Sequence, residues 1–295
     1  NVENLYALQD LIEDTEALMA EVGKVAVGET ETVTLTESNY YCNATYTGDN
    51  GDKFTSYSVL CDGNLDTYLH TDYSGNDSDD GLAHYIRMDM GENSTVEMFK
   101  LTYTTRNYAY PLAPTSITVE GSNDLNTWHT IVDAFTEGLP EEKGTSFTTP
   151  VLSNGLRYRY VRLIVNSTIT NQEAGPTDNK HRYFAFSEVG ISNVTPAESL
   201  NTTYESMTEG VLLDAFKANL AAQGVLITAT TSAEYKAAYT TLETKYNALL
   251  AAKKVVDDAA LNAKKAELQT LINNMTSLIS SCGTVTYTPA TYSGT

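Results

Sequence analysis

The sequence predicts a multi-domain α and β chain: a β-sandwich of jelly-roll type held between helical segments. Three observations carry this. From about residue 30 to 194 the chain is Thr-, Tyr- and Gly-rich and breaks into short alternating runs. Before Gly23 and after Pro196 it is instead rich in Ala, Leu, Lys and Glu, with apolar residues at helical spacing. Finally, the two helical ends resemble each other at an offset of 260 residues.

The first helix carries Leu5, Leu8, Leu11, Ile12, Leu18, Met19 and Val22 and is closed by Gly23. Strands follow in the runs YIRMDM (85–90), EMFKLTYT (97–104), SITVEG (116–121), YRYVRLIV (158–165) and FAFSEVGI (184–191). The turn signals GEN, GSND and SNG separate them, as an antiparallel sandwich requires. Beyond Pro196, residues 207–223, 232–254 and 256–281 read as three helices, the second opened by a Thr231–Glu234 capping box. Short loops between them imply a small antiparallel bundle. The expected organisation is a helical segment over 1–28, the sandwich over 29–195, the bundle over 196–282, and a tail or further repeat over 283–295.

Leu8, Gln9, Leu11, Ile12, Leu18, Gly23 and Val25 recur as Leu268, Gln269, Leu271, Ile272, Leu278, Gly283 and Val285. The shared Gly-x-Val exit after each stripe argues for a true repeat and hence a slice of a longer, multi-modular chain. The helix over 3–22 must then pack on the sandwich or on the C-terminal helices.

The formal net charge is −20, from 18 Lys plus Arg against 38 Asp plus Glu. Such a chain repels nucleic acid and anionic membrane lipid, whose binding relies on Lys and Arg clusters. Twenty tyrosines, against one Trp and seven Phe, suit surfaces that touch polar ligands. Cys42, Cys61 and Cys282 show no zinc-site spacing, and pairing of Cys42 with Cys61 cannot be deduced from sequence. No apolar run reaches the ~18 residues of a membrane span, and no leader-like segment opens the chain.

The densest chemistry lies in LCDGNLDTYLHTDY, residues 60–73. Asp62, Asn64 and Thr67 alternate around a turn that Gly63 permits, and such short oxygen-bearing side chains suit a hard cation. The spacing is not that of an EF-hand, and an Asx-rich turn without metal explains the run equally well. The histidines His70, His84, His129 and His181 sit in no recognisable nucleophile motif, so no catalytic role is assigned.

Four ordered motifs extend this stretch: YIRMDMG (85–91), ITVEGSNDLNTWHTI (117–131), RYVRLIV (159–165) and FSEVGI (186–191). Together they resemble the discoidin, or coagulation-factor type C, domain family, also called carbohydrate-binding module family 32, over roughly residues 35–194. The resemblance implies an eight-stranded, galactose-binding-like sandwich. It also implies a structural calcium or sodium held by the Val59 carbonyl, Asp62, Asn64, Thr67, the Ser187 carbonyl and Glu188. Sugar sites in the family lie on loops at one end of the sandwich. The matching loops here carry His70, Asp72, Tyr73, Arg106, Asn107, Tyr108, Tyr110, Tyr183 and Phe184, with TTRNYAYP (104–111) the most sugar-like segment. The family's usual Trp is Leu69 in this chain, and Trp128 is expected in the core.

The resulting expectation is a non-catalytic glycan-binding module, for targeting or adhesion, in a secreted and multi-modular bacterial protein. Its partners would be glycans, galactose-type sugars among them, and other modules of the same polypeptide. The alternatives are a protein-binding adhesion repeat without sugar binding and, less favoured, a glycosidase fragment.

Overall fold

The computed structural model describes residues 2–73, 78, 80–169, 183–283 and 289, apart from the side chains of 26 and 27. Helix α1 (Val2–Val22) runs directly into strand β1 (Gly23–Thr32). Then come β2 (Tyr40–Cys42), β3 (Leu69–His70), β4 (Tyr85–Asp89), β5 (Phe99–Thr105) and β6 (Pro114–Ser122). The remaining strands are β7 (His129–Phe135), β8 (Ser146–Thr148), β9 (Tyr160–Thr168) and β10 (Ala185–Leu200). Helices α2 (Val211–Thr228) and α3 (Ser232–Ser281) follow.

Two antiparallel sheets pack face to face. One has the order β1-β10-β5-β8, with β3 also paired to β10; the other is β2-β4-β9-β6-β7. Among the described residues five strands in each sheet replace the eight expected in all, because β1 and short strands such as β3 and β8 join the ladders. The alternation is explicit in β5, where Phe99, Leu101 and Tyr103 are fully buried and Lys100 and Thr102 are not. They meet Ile117 and Val119 of β6, Val161, Leu163 and Val165 of β9, and Phe186, Val189 and Ile191 of β10 in one core.

β10 does not stop at Pro196. Its first half pairs with β3 and with β5 as far as Asn193, whereas Ser192–Leu200 pairs with β1. Pro196 therefore sits in a ribbon whose strand has lost its second neighbour, where a missing N–H leaves no ladder bond unmade. The ribbon meets the helices at one end, where Gly23 pairs with Leu200, and Gly23 is needed there: a Cβ would lie 2.5 Å from the Ser199 carbonyl oxygen.

The helical expectations need two corrections. Residues 232–254 and 256–281 are not separate helices but the continuous 50-residue α3, which has no Gly or Pro to break it. α2 is the one helix among the described residues with the length and hydropathy to cross a membrane, contrary to the sequence expectation. It lies against both other helices instead. α1 packs antiparallel to α2 and parallel to α3, through Leu18, Val22, Leu212, Ala215 and Leu249 at one level. Leu8, Leu11, Ile12, Ala222 and Leu242 form the second layer. The Asn219 amide adds a 2.9 Å hydrogen bond to the Ile12 carbonyl oxygen.

Sandwich and bundle also meet directly. The SNG turn presents Gly155, at φ +81°, to α2 so closely that a Cβ there would stand 1.8 Å from the Leu220 carbonyl oxygen. A Cβ on Gly224 would stand 2.6 Å from the Gly155 carbonyl oxygen.

Candidate functional site

The turn after a 3₁₀ segment (Tyr57–Leu60) is built by its own short side chains. Gly63 takes φ +73°, the left-handed region open to glycine. Asp62 Oδ1 accepts the Asn64 N–H at 2.8 Å, Asp62 Oδ2 accepts the Thr67 hydroxyl at 2.8 Å, and Asn64 Oδ1 accepts the Asp66 N–H at 3.1 Å. From β10, more than a hundred residues away, Glu188 Oε1 accepts the Gly63 N–H at 2.7 Å. The Ser187 hydroxyl donates to the Leu65 carbonyl at 3.0 Å. The structure thus brings Asp62, Asn64, Thr67, Ser187 and Glu188 together, with Val59 half-buried in the adjoining 3₁₀ segment.

Burial raises the Glu188 carboxyl above the ordinary carboxylate range, and the Asp62 charge beside it adds to the effect. Two carboxylates held together at a cost are what a cation relieves. Among the described residues no three His, Cys, Asp or Glu side chains form a metal group. The donors available are two carboxylates plus amide, hydroxyl and carbonyl oxygens, a set that fits calcium or sodium and not a transition metal.

A second cluster lies beside this turn. β3 carries His70 inward, and its Nδ1 lies 2.6 Å from the Thr71 carbonyl oxygen. Because a carbonyl only accepts, Nδ1 carries the proton and Nε2 is left as an acceptor. Burial lowers the His70 pKa to about 4, so the ring is neutral at pH 7. Tyr183 stacks on it at 5.9 Å, Tyr73 meets it edge-on at 5.0 Å, and Tyr46 stacks on Tyr73 at 4.5 Å. Asp72 follows on the same segment, its N–H bonded to the Ala44 carbonyl.

Arg106, at the end of β5, is 5% exposed. Its guanidinium lies 3.6 Å from Asp52 and within 5.3–5.5 Å of the Tyr108 and Tyr68 rings, and its Nε donates to the Tyr110 carbonyl. Asn107 donates to Asp66 at 3.2 Å, tying this loop to the Asp62 turn. Tyr108 and Tyr110 are exposed, at 56% and 49%.

Two expectations change. Phe184 is fully buried and packs on Phe186 at 4.6 Å, so its side chain belongs to the core and not to a ligand surface. Trp128 is only half-buried and lies over the Arg162 guanidinium at 4.1 Å, outside the core that was expected to hold it. Leu69, in place of the family's Trp, is a core residue at 1% exposure.

The sequence reading missed Tyr46, Asn50, Asp52 and Tyr68. Asn50 donates to the Tyr73 hydroxyl at 2.6 Å, and Asp52 accepts the Tyr68 hydroxyl at 2.9 Å. For Asn50 and Asp52 the signal was the polar run GDNGD (48–52), two residues after Tyr46, an Asx-rich loop of the kind that presents side chains.

The cluster brings ring faces, a neutral imidazole and one fixed planar donor together at one loop end. The family model of the F5/8 type C domain matches residues 38–177, from just before β2 to beyond β9. The β-sandwich is a discoidin-type domain. Domains of this family are binding modules. No curated protein matches the chain in sequence.

Solved structures similar to the discoidin-type domain include a family 32 carbohydrate-binding module of Clostridium perfringens in complex with GalNAc-β-1,3-galactose. It is 18% identical, with 55% of this chain and 99% of that one covered and a TM-score of 0.39. The Clostridium perfringens NanJ family 32 module in complex with galactose is 15% identical, covering 56% and 100%, with a TM-score of 0.37. The C-terminal domain of a Bacteroides fragilis chitobiase is 20% identical, covering 55% and 98%, with a TM-score of 0.36.

Proposed function

We propose that the discoidin-type domain binds neutral glycans at the loop cluster of His70, Asp72, Tyr73, Arg106, Asn107, Tyr108, Tyr110 and Tyr183. The observation that carries this reading is the buried Arg106 fork, held by Asp52 between tyrosine rings and set beside the neutral His70. A sugar offers hydroxyls to fixed donors and acceptors and a C–H face to rings, and this cluster supplies both. Among the described residues of the cluster the one cation is Arg106, and it is paired with Asp52.

A calcium ion, or sodium, would be held by Asp62, Asn64, Thr67, Glu188 and the carbonyls of Val59 and Ser187. Its contribution is structural: positive charge that joins the early turn to β10 and relieves the Asp62–Glu188 repulsion. Because Asn107 bonds Asp66 of that turn, the ion would also steady the ligand loop.

The wider role is glycan targeting or adhesion by a secreted or cell-surface multi-modular protein. A single site of this size binds weakly, and repetition raises avidity through effective concentration. A glycan array containing galactose-type and other neutral sugars tests the reading, with Tyr108→Ala and Tyr110→Ala as exposed-site variants beside Arg106→Ala. Sugar binding that these substitutions remove supports it; an array that stays blank favours a protein ligand.

A further inference from the structure

The far half of α3 carries an apolar stripe that is exposed among the described residues. Leu268, Leu271, Ile272, Met275 and Leu278 are 47–65% exposed, whereas the proximal half buries Leu242 and Leu249 completely. Exposed stripes of this length on a helix normally have a partner. The repeat identifies the partner: shifted by 260 residues, these positions are Leu8, Leu11, Ile12, Thr15 and Leu18 of α1, all of which are buried. What covers them in this structure is α2 and the proximal half of α3.

We propose that the distal half of α3 is the first helix of a second three-helix bundle, whose other two helices are the α2 and proximal α3 of a further copy of this unit. One continuous helix would then serve as the third helix of one bundle and the first of the next. The exit matches as well, since Gly283 stands where Gly23 leads α1 into β1.

The spacing permits it. α1 runs level with α3, as the Asn4–Ser232 hydrogen bond and the Glu21–Lys253 ion pair mark. Their repeat equivalents, residues 264 and 281, lie 264 − 232 = 32 and 281 − 253 = 28 residues further along α3. At 1.5 Å per residue that is a shift of about 42–48 Å, longer than the roughly 31 Å of a 21-residue helix, so successive bundles do not collide. The Asn219 bond to the Ile12 carbonyl transfers unchanged to the Ile272 carbonyl, because it needs only backbone. The Glu21 and Glu16 contacts do not transfer, since Ser281 and Thr276 stand there, and Met275 for Thr15 asks for more room. The apolar stripe is therefore what holds the second bundle.

This inference is independent of sugar binding. The test uses the full chain and a version continued from Gly283 by a second copy of residues 24–295, compared by hydrogen exchange. In the single chain, amides of 261–281 should exchange as a solvated helix; in the tandem they should slow by on the order of a hundredfold or more. Leu271→Asp with Ile272→Asp should leave the single chain's melting unchanged and abolish the added protection in the tandem. Equal exchange in both chains, or a tandem indifferent to the double substitution, overturns the proposal. So does concentration-dependent dimerisation of the single chain through this stripe, which would make the partner an identical stripe and not α2 and α3.

Discussion

The Arg106 guanidinium and the Asp52 carboxylate stand 3.6 Å apart, with Arg106 almost completely buried and Asp52 at the rim. Burial works against the arginine's charge, and Asp52 is the nearest compensation. The same carboxylate accepts the Tyr68 hydroxyl, so one acid orders both the donor fork and a ring beside it. Asp52→Ala should therefore cost about 1–3 kcal/mol of stability by leaving a buried cation less well paired. Chemical denaturation measures the loss, and an unchanged midpoint would remove Asp52 from the account of the site.

His70 makes the stability pH-dependent. Its ordinary pKa is 6.5 and the folded value is about 4, so between these the unfolded chain binds more protons. Stability contributed by the neutral ring is complete above pH 6.5 and is lost as pH falls toward 4. The loss amounts to roughly 3 kcal/mol, from 1.36 kcal/mol per pKa unit. Denaturation curves between pH 4 and 7 should be steeper for the natural chain than for His70→Gln; parallel curves would contradict the burial argument.

Glu188 runs the other way. Its carboxyl is raised by burial and by Asp62, so its contribution weakens as pH rises through the carboxylate range, and a bound cation would cancel that cost. Calcium at a hundred times its dissociation constant should add about 2.7 kcal/mol of stability. Glu188→Gln keeps an oxygen for the Gly63 N–H; it should melt no lower than the natural chain in chelator and should lose the calcium response. A calcium response that survives the substitution would move the ion elsewhere.

Gly224→Ala sets two effects against each other. Alanine is favoured over glycine in a helix by up to about 1 kcal/mol. Here, however, its Cβ would meet the Gly155 carbonyl oxygen at 2.6 Å, and neither partner is a flexible side chain. Overpacking of this kind costs about 1–3 kcal/mol, so the net sign should be destabilising, read as a lowered melting temperature. A stabilised variant would mean that sandwich and bundle are not in backbone contact.

Much of this was legible in the residues. The strands with clear alternation, Tyr85–Asp89, Phe99–Thr105, Pro114–Ser122 and Tyr160–Thr168, fall within a few residues of the runs that predicted them, because inward and outward positions differ chemically. The Asp62 turn was readable because its short oxygen-bearing side chains bond their own backbone. Phe184 was not, because an aromatic next to a loop looks the same from sequence whether it faces solvent or the core. The GDNGD run marked Asp52 as a loop residue but hid its role, which depends on meeting Arg106, 54 residues away. The unity of α3 was hidden by its stripe, whose burial ends midway although the backbone runs on.

The proposed role depends above all on recognition of a neutral glycan by the loop cluster around Arg106 and His70. The most direct measurement is glycan-array binding of the natural chain beside Tyr108→Ala, Tyr110→Ala and Arg106→Ala, each first checked for native melting. The natural chain should bind a neutral sugar, and the substitutions should weaken that binding by about tenfold or more, the equivalent of 1.4 kcal/mol. A folded protein that binds no sugar, or binds one with all three substitutions in place, contradicts it.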